Sequence, residues 1–299
     1  MWLVHSILTT LSWAFADLFY KKGNDPNEKS SHIKTVIMVG VVMGIHAIGY
    51  MLINNISFSP IYMVTYFPVS ALYILSMAIG YFGLRYIELS ISSPIQNSSG
   101  AVTTILIYIF FTHALSALEV SSIVLITTGI VALAFLEKYL SDKAAPLDEK
   151  DRKYRIGFVA IIFPILYCII DGLGTFADAI YLDELALIGE DQALLAYEFT
   201  FFIVAILAMI YLAAKKEKIS LVKEKDRGIA AIFETAGQFF YVFAMAKNAI
   251  IAAPVIASYS AFSVLLSRIF LKEKLTRAQY LMILLVMLGI ALLAISEVL

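Results

Sequence analysis

Charged residues are scarce in this sequence. Only 15% of its residues are charged, 61% are apolar, and the mean hydropathy is +0.86. Soluble domains contain about 25% charged and about 45–50% apolar residues. The shortage of charge therefore excludes an ordinary water-soluble domain and indicates a protein that lies within a membrane.

Residues for metal, redox or phosphate chemistry are also few. The single cysteine, Cys168, excludes an intramolecular disulfide. The sequence contains no HExxH motif, no glycine-rich phosphate loop and no cluster of cysteine with histidine. We therefore predict no bound metal, no cofactor and no enzyme activity, and we do not expect ATP-driven transport by this chain alone.

Apolar runs, in contrast, make up most of the chain. A helix of about 20 apolar residues crosses a bilayer, and ten runs of about that length are present. They comprise residues 2–20, 35–54, 63–84, 90–111, 118–136, 157–181, 193–214, 228–246, 250–271 and 278–298. The sequence therefore predicts an all-α membrane protein with ten transmembrane helices joined by short connections.

Basic residues are nearly absent from one side of this predicted bundle. The loops after the first, third, fifth, seventh and ninth spans, counted together with Arg268 at the end of the ninth span, hold 21 of the 22 Lys and Arg residues, and only Lys247 lies on the other side. Basic loops remain in the cytoplasm because they resist translocation. We therefore expect a multi-pass protein of the plasma or inner membrane, with both termini outside the cytoplasm.

The sequence contains an internal repeat. Residues 81–134 align without a gap with residues 241–294, and 15 of the 54 aligned positions are identical. A second alignment, displaced by 161 residues, pairs two Phe-Ala-Asp segments near the starts of the two halves. The aligned pairs used below are Tyr81 with Tyr241, Pro94 with Pro254, Ser98 with Ser258, Gly129 with Gly289, and Asp17 with Asp178.

Each copy of the repeat holds five predicted spans. Because five is an odd number, the second copy must enter the membrane from the opposite side. The sequence thus predicts one five-helix repeat at 1–140, a cytoplasmic linker at 141–155 and an inverted second repeat at 156–299. Two inverted repeats can exchange conformations and open a central cavity to each side in turn; the alternative is a duplication that only enlarged the bundle.

The end of the second copy resembles a known family pattern. Residues 246–295 contain small residues, Pro254, an apolar run, a Leu-x-Glu-x-Leu turn and a final glycine-containing helix. Leu271, Glu273 and Leu275 supply the turn, whereas in the first copy His113 stands at the position of the glutamate. This pattern is similar to that of the EamA-type branch of the drug/metabolite transporter superfamily, and the resemblance covers nearly the whole chain.

The resemblance implies ten helices around a central cavity and the transport of metabolites, often amino acids, amines or xenobiotics. It also implies termini in the cytoplasm, which the distribution of Lys and Arg contradicts. We follow the charges, because a distribution of 21 to 1 is hard to produce otherwise.

Five acidic residues lie inside the predicted spans. A charged residue at the centre of a membrane helix costs about 2.5–3.5 kcal/mol, and no Lys or Arg lies deep in a span to offset this cost. The carboxyl groups must therefore be protonated, hydrated in a cavity or occupied by a cation. These candidate substrate-binding or proton-coupling residues are Asp17, Asp171, Asp178, Glu198 and Glu234.

The five acids differ in depth. Asp171 lies nearest the middle of its span, and Asp178 follows seven residues later on nearly the same helical face. The aligned residues Asp17 and Asp178 lie near opposite membrane surfaces and are candidate gating residues or plain interfacial carboxylates. Glu198 and Glu234 lie about six residues from a helix end. Hydrogen bonding to a neighbouring helix is the alternative role for Asp171.

Two further candidates are a histidine and a tryptophan. His46, near the middle of the second span, has a side chain that titrates close to neutral pH. Trp13 lies one turn before Asp17 and suits a cation held over an aromatic ring. Packing is the alternative explanation for both.

Polar residues follow a proline in two spans. Asn97 follows Pro94, and Tyr259 follows Pro254. Proline frees a backbone carbonyl in a spanning helix, and neighbouring polar side chains satisfy it or use it to bind a ligand. The two prolines are therefore candidate helix-bending residues, and plain bending is the alternative to a role in binding.

The acidic, base-poor interior favours a secondary transporter for a small organic amine, cation or zwitterion. The alternatives are a proton-coupled exporter of an uncharged metabolite or drug-like molecule, and a non-transporting receptor or scaffold. An intramembrane aspartyl protease is excluded, because Asp171 and Asp178 lie about 10 Å apart along one helix and cannot share a proton. We expect a lipid bilayer around the chain and no nucleic-acid partner.

Overall fold

The computed structural model describes residues 2–25, 27–87, 89–143, 162–217, 224–272 and 275–296, and every regular element in these ranges is a helix. The helices are α1 (Trp2–Gly23), α2 (Ser31–Ile53), α3 (Ile61–Gly83), α4 (Leu89–Asn97), α5 (Ser99–Phe110), α6 (Ala117–Lys143), α7 (Ile162–Ala179), α8 (Glu190–Ala214), α9 (Lys225–Ala257), α10 (Tyr259–Leu266) and α11 (Arg277–Ser296). Short π-helices, Ile180–Glu184 and Ser267–Leu271, continue α7 and α10.

Seven helical stretches in the described chain are long and apolar enough to cross a membrane. Six of them contain α1, α2, α3, α6, α7 and α8, and the seventh is the 47-residue stretch Lys225–Leu271. This last stretch is the centre of the bundle, because 83% of its most apolar window is buried, compared with 33–50% in the other six. The chain is therefore a multi-pass membrane protein.

The structure divides some of the ten predicted spans differently. The fourth span is split into α4 and α5, which are each too short to be counted. The eighth and ninth spans fall within Lys225–Leu271, where Asn248 has an extended backbone (φ −169°) inside α9. After this break Asp183 accepts a hydrogen bond of 2.7 Å from the backbone nitrogen of Ala249 and caps the restarted helix. Most of the predicted linker 141–155 lies outside the described residues.

Two helices are interrupted at aligned serines. Ser98 separates α4 from α5, and Ser258 separates α9 from α10, with nearly equal backbone angles (φ −62° and −65°). Each break lies four residues after the predicted helix-bending prolines Pro94 and Pro254. The serine hydroxyls turn back onto their own helices: Ser98 donates to the carbonyl oxygen of Pro94 at 3.0 Å and Ser258 to that of Val255 at 2.5 Å.

Glycines allow the closest helix contacts. Where α6 packs on α11, a Cβ on Gly129 would lie 2.6 Å from Val286, and a Cβ on Gly289 would lie 2.7 Å from Ile126. Where α2 packs on α8, a Cβ on Gly40 would collide with the backbone carbonyl oxygen of Phe201. These contacts require the absence of a side chain, so the three glycines fix the spacing of the two helix pairs.

Ionic contacts join the start of α9 to the connection between α1 and α2. Arg227 donates to Glu28 at 2.5 Å and also to Glu224, while Lys34 donates to Glu28 and lies 3.6 Å from Glu224. Burial raises the pKa of Glu28, but hydrogen bonds and charge from Lys34 and Arg227 outweigh that effect and hold this pKa below its usual 4.5. We call these four residues the ionic cluster.

Replacing Gly40 by alanine is expected to destabilise the protein. The new methyl group meets backbone rather than a flexible side chain, and overpacking of this kind costs about 1–3 kcal/mol. Gly49 on the same helix is the matched control, since a Cβ there meets nothing within 4 Å. The melting temperature in detergent should fall for Gly40→Ala and stay equal or rise for Gly49→Ala; equal melting temperatures would refute the close contact.

The ionic cluster predicts an acid-sensitive contribution to stability. Because the folded pKa of Glu28 is lowered, its contribution is complete above pH 4.5 and is lost as the pH falls through the folded value. Glu28→Gln should therefore lower the melting temperature at pH 6, and its difference from the parent protein should shrink as the pH falls below 4.5. A difference that is constant across this range would contradict the assigned contacts.

Candidate functional site

A polar cavity lies near the middle of the helices that surround α9. It encloses about 60 Å³, which is room for roughly four water molecules. Its wall contains two acids, Asp171 from α7 and Glu234 from α9. Six aromatic side chains complete much of the wall: Trp13, Tyr73, Tyr167, Tyr197, Tyr241 and Tyr259.

Serine hydroxyls hold the carboxylate of Asp171. Ser99, the first residue of α5, donates to it at 2.8 Å, and Ser76 of α3 lies at 3.4 Å. Ser99 also lines the cavity and follows the helix break at Ser98. The interruption between α4 and α5 therefore places a hydroxyl beside the acid.

Glu234 is held by residues of α1. Tyr20 donates to the Glu234 carboxylate at 3.2 Å, and Nε1 of Trp13 donates to the backbone carbonyl oxygen of Glu234 at 3.3 Å. The indole of Trp13 packs on Gly237, where a Cβ would meet the ring closer than van der Waals contact allows. Trp13 is therefore fixed between α1 and α9, with its ring against the cavity.

Asp178 lies behind the cavity wall. It is fully buried and accepts hydrogen bonds from Tyr66 and, at 3.4 Å, from Tyr73. Tyr73 is also 2.6 Å from the hydroxyl of Tyr241 and 3.0 Å from that of Thr175. Tyr73, Tyr241 and Thr175 all line the cavity, so hydroxyl groups connect Asp178 to it.

Asp17 and Glu198 lie outside the cavity lining. Asp17 accepts from Ser93 of α4 at 2.6 Å and from Ser263 of α10 at 2.8 Å. Glu198 is fully buried on α8, where Nδ1 of His46 lies 2.8 Å from its carboxylate across the contact with α2. Both acids therefore join helices.

The compensation for these buried acids comes mainly from hydroxyl groups. Within the described ranges, none of the five acids forms an ion pair with Lys or Arg. One of them, Glu198, is paired with the imidazole ring of His46. Hydroxyl donors stabilise a carboxylate without neutralising its charge. The two acids that face the cavity can therefore still accept a proton or a cation.

The cavity brings together part of the predicted site. Five predicted residues line it: Asp171, Glu234, Trp13, Asn97 and Tyr259. The other four, Asp17, Asp178, Glu198 and His46, do not. The turn glutamate Glu273 lies outside the described residues, and His113, at the corresponding position of the first copy, lies 2.6 Å from Glu184.

The sequence analysis missed most of the neutral polar lining. Tyr167, Tyr197 and Gln238 line the cavity, but a tyrosine or glutamine in a membrane helix does not stand out as a charge does. One signal for Gln238 was available, since it follows Glu234 by one helical turn and shares its face. Across the described part of the chain, no group of three or more potential metal ligands comes together.

One comparison with known proteins finds a transporter family, and its match lies in the second half of the chain. Residues 157–295 match the model of the EamA-like transporter family. A solved structure titled only "Crystal structure of protein" has the same fold, with a TM-score of 0.62 and 11% identity, over 95% of this chain and 97% of that one. A comparison with curated proteins gives no match. This family match covers 139 of the 299 residues, a little less than half of the chain.

Proposed function

We propose that this protein is a secondary-active transporter that binds a small organic amine, cation or zwitterion in the central cavity. One observation carries the proposal: Asp171 and Glu234 face the same polar cavity, and its lining contains no Lys, Arg or His among the described residues. An acidic pocket without a basic partner attracts a cation, because an ammonium group replaces the missing counter-charge.

The aromatic wall supports a cationic ligand. Trp13 packs with its ring centroid 5.2 Å from that of Tyr241 and 5.7 Å from that of Tyr259. Tryptophan and tyrosine faces attract ammonium groups, most strongly where water is excluded. The carboxylates then supply charge, and the rings supply a surface for the apolar part of the ligand.

We further propose that residues 1–140 and 156–299 form two inverted five-helix repeats, giving ten spans in all. The aligned serines Ser98 and Ser258 interrupt their helices with nearly equal angles. The aligned glycines Gly129 and Gly289 make reciprocal contacts, because their neighbours Val286 and Ile126 are aligned with each other as well. Reciprocal contacts are what a two-fold relation between the repeats requires.

We include alternating access in this proposal, because inverted repeats can open a central site to each side of the membrane in turn. A cavity of about 60 Å³ is small beside the ~300–1,000 Å³ of pockets for drug-sized ligands, so entry of a larger substrate requires helices to separate.

The direction of insertion follows from the basic residues. The ionic cluster lies among the loops that hold 21 of the 22 Lys and Arg residues, so we place it on the cytoplasmic side of the plasma or inner membrane and both termini outside.

Neutralising either cavity acid is expected to weaken amine binding. Removing one partner of a buried charge pair costs about 2–5 kcal/mol, so Asp171→Asn and Glu234→Gln should each raise the Kd for the amine roughly 30-fold or more. The matched control is Asp191→Asn, because Asp191 is bonded to Tyr50 outside the cavity lining. Calorimetric titration of the purified protein with a panel of amines measures these affinities.

Proteoliposomes separate the remaining alternatives. Amine uptake that is lost in Asp171→Asn and kept in Asp191→Asn is the expected result. Retained ligand binding in Asp171→Asn, with loss of proton coupling alone, would instead favour a proton-coupled exporter of an uncharged molecule. A protein that binds and moves no amine, amino acid or proton would refute transport and favour a receptor or scaffold.

Protease accessibility tests the orientation. A cleavable tag before α1 should be cut when protease is added outside intact cells, and a tag at 141–155 should be cut only after the membrane is opened. The reverse pattern would contradict the orientation but leave the cavity unchanged.

A further inference from the structure

The amide of Gln238 has no partner in the cavity wall. Gln238 is only 2% exposed, and its amide nitrogen has no hydrogen-bond partner in the described part of the chain. The other amide in the wall differs, since the nitrogen of Asn97 donates to the carbonyl oxygen of Ser93 at 2.9 Å. Buried polar groups are rarely left without a partner, so the Gln238 amide is available to a ligand.

The neighbouring groups on the same face of α9 are already bonded. Tyr20 donates to Glu234, and the hydroxyls of Tyr241 and Tyr73 lie 2.6 Å apart. Between Glu234 and Tyr241 on this helix, Gln238 is the position that lacks such a bond. The wall therefore contains an acid and, one turn away, a neutral amide whose nitrogen lacks a partner.

The spacing of these two groups sets a ligand pattern. Residues four apart on a helix have Cβ atoms about 5–6 Å apart. When the ammonium group of a ligand binds Glu234, a ligand atom about 5–6 Å from that nitrogen therefore lies beside Gln238. A hydroxyl group suits this position, because it both donates and accepts and can pair with either end of the amide.

We propose that Gln238 is a specificity-determining residue that selects organic amines with a neutral hydroxyl group three or four carbon atoms from the nitrogen. This inference rests on the proposed function, which places an amine at the acids. A carboxylate at the same position is disfavoured, because Asp171 and Glu234 repel it and the described lining offers no basic side chain. The cavity thus prefers an amino alcohol to the corresponding amino acid.

A comparison of three ligands and three variants tests the proposal. The ligands are 4-aminobutanol, its isostere pentylamine and 4-aminobutanoic acid. The variants are Gln238→Leu, Gln238→Met and the control Gln192→Leu, whose glutamine donates to Ser57 at the end of α8, outside the cavity. Calorimetric titration gives the affinities, and melting temperatures identify any variant that fails to fold.

The parent protein and Gln192→Leu should bind 4-aminobutanol roughly tenfold or more tightly than either other ligand. Gln238→Leu and Gln238→Met should lose this preference and bind 4-aminobutanol no more tightly than pentylamine. If the parent binds both amines equally, or if a folded Gln238 variant keeps the preference, the role of Gln238 is refuted and the amine site remains. If the parent binds other amines of the panel but none of these three, this inference is refuted and the amine function remains; if it binds no amine of the panel, both are refuted.

Discussion

Burial of carboxyl groups inside a membrane protein is the constraint on which this structure depends. The acids of the spans cannot be left without donors, because a carboxylate in an apolar medium is strongly destabilised. Serine and tyrosine hydroxyls supply the donors to Asp17, Asp171, Asp178 and Glu234, and His46 pairs with Glu198. Each of these bonds joins two different helices, so the acids also determine how the helices pack.

The helix breaks serve the same requirement. Ser99, which follows the interruption at Ser98, donates to Asp171, and Ser263, beyond the interruption at Ser258, donates to Asp17. Tyrosines extend the arrangement across the bundle, since Tyr73 connects the buried Asp178 to the cavity. In the proposed transport cycle, a shift of any of these helices changes the hydrogen bonds of an acid.

Sequence patterns predicted the membrane setting and the family resemblance, and Asp171, Glu234 and Trp13 are among the nine candidate site residues that they proposed. They did not distinguish these from Asp17, Asp178 and Glu198, because hydropathy gives the depth of a residue but not the rotation of its helix. The pairing of Glu198 with His46 could not be predicted from the sequence either, because it depends on the packing of α8 against α2. Tyr167 and Gln238 were missed because a neutral polar residue in an apolar run carries little cost that calls for a partner.

The central claim is that Asp171 and Glu234 share one ligand-accessible cavity within the membrane. A hydrophobic carbodiimide, which modifies protonated carboxyl groups in apolar surroundings, tests it directly when the labelled positions are mapped by mass spectrometry. We expect modification at Asp171 or Glu234 that is suppressed by a bound amine, with Asp17 and Glu198 less affected by the ligand. Two results would contradict the account: labelling that spares both cavity acids, or labelling of these acids that a saturating concentration of amine does not reduce.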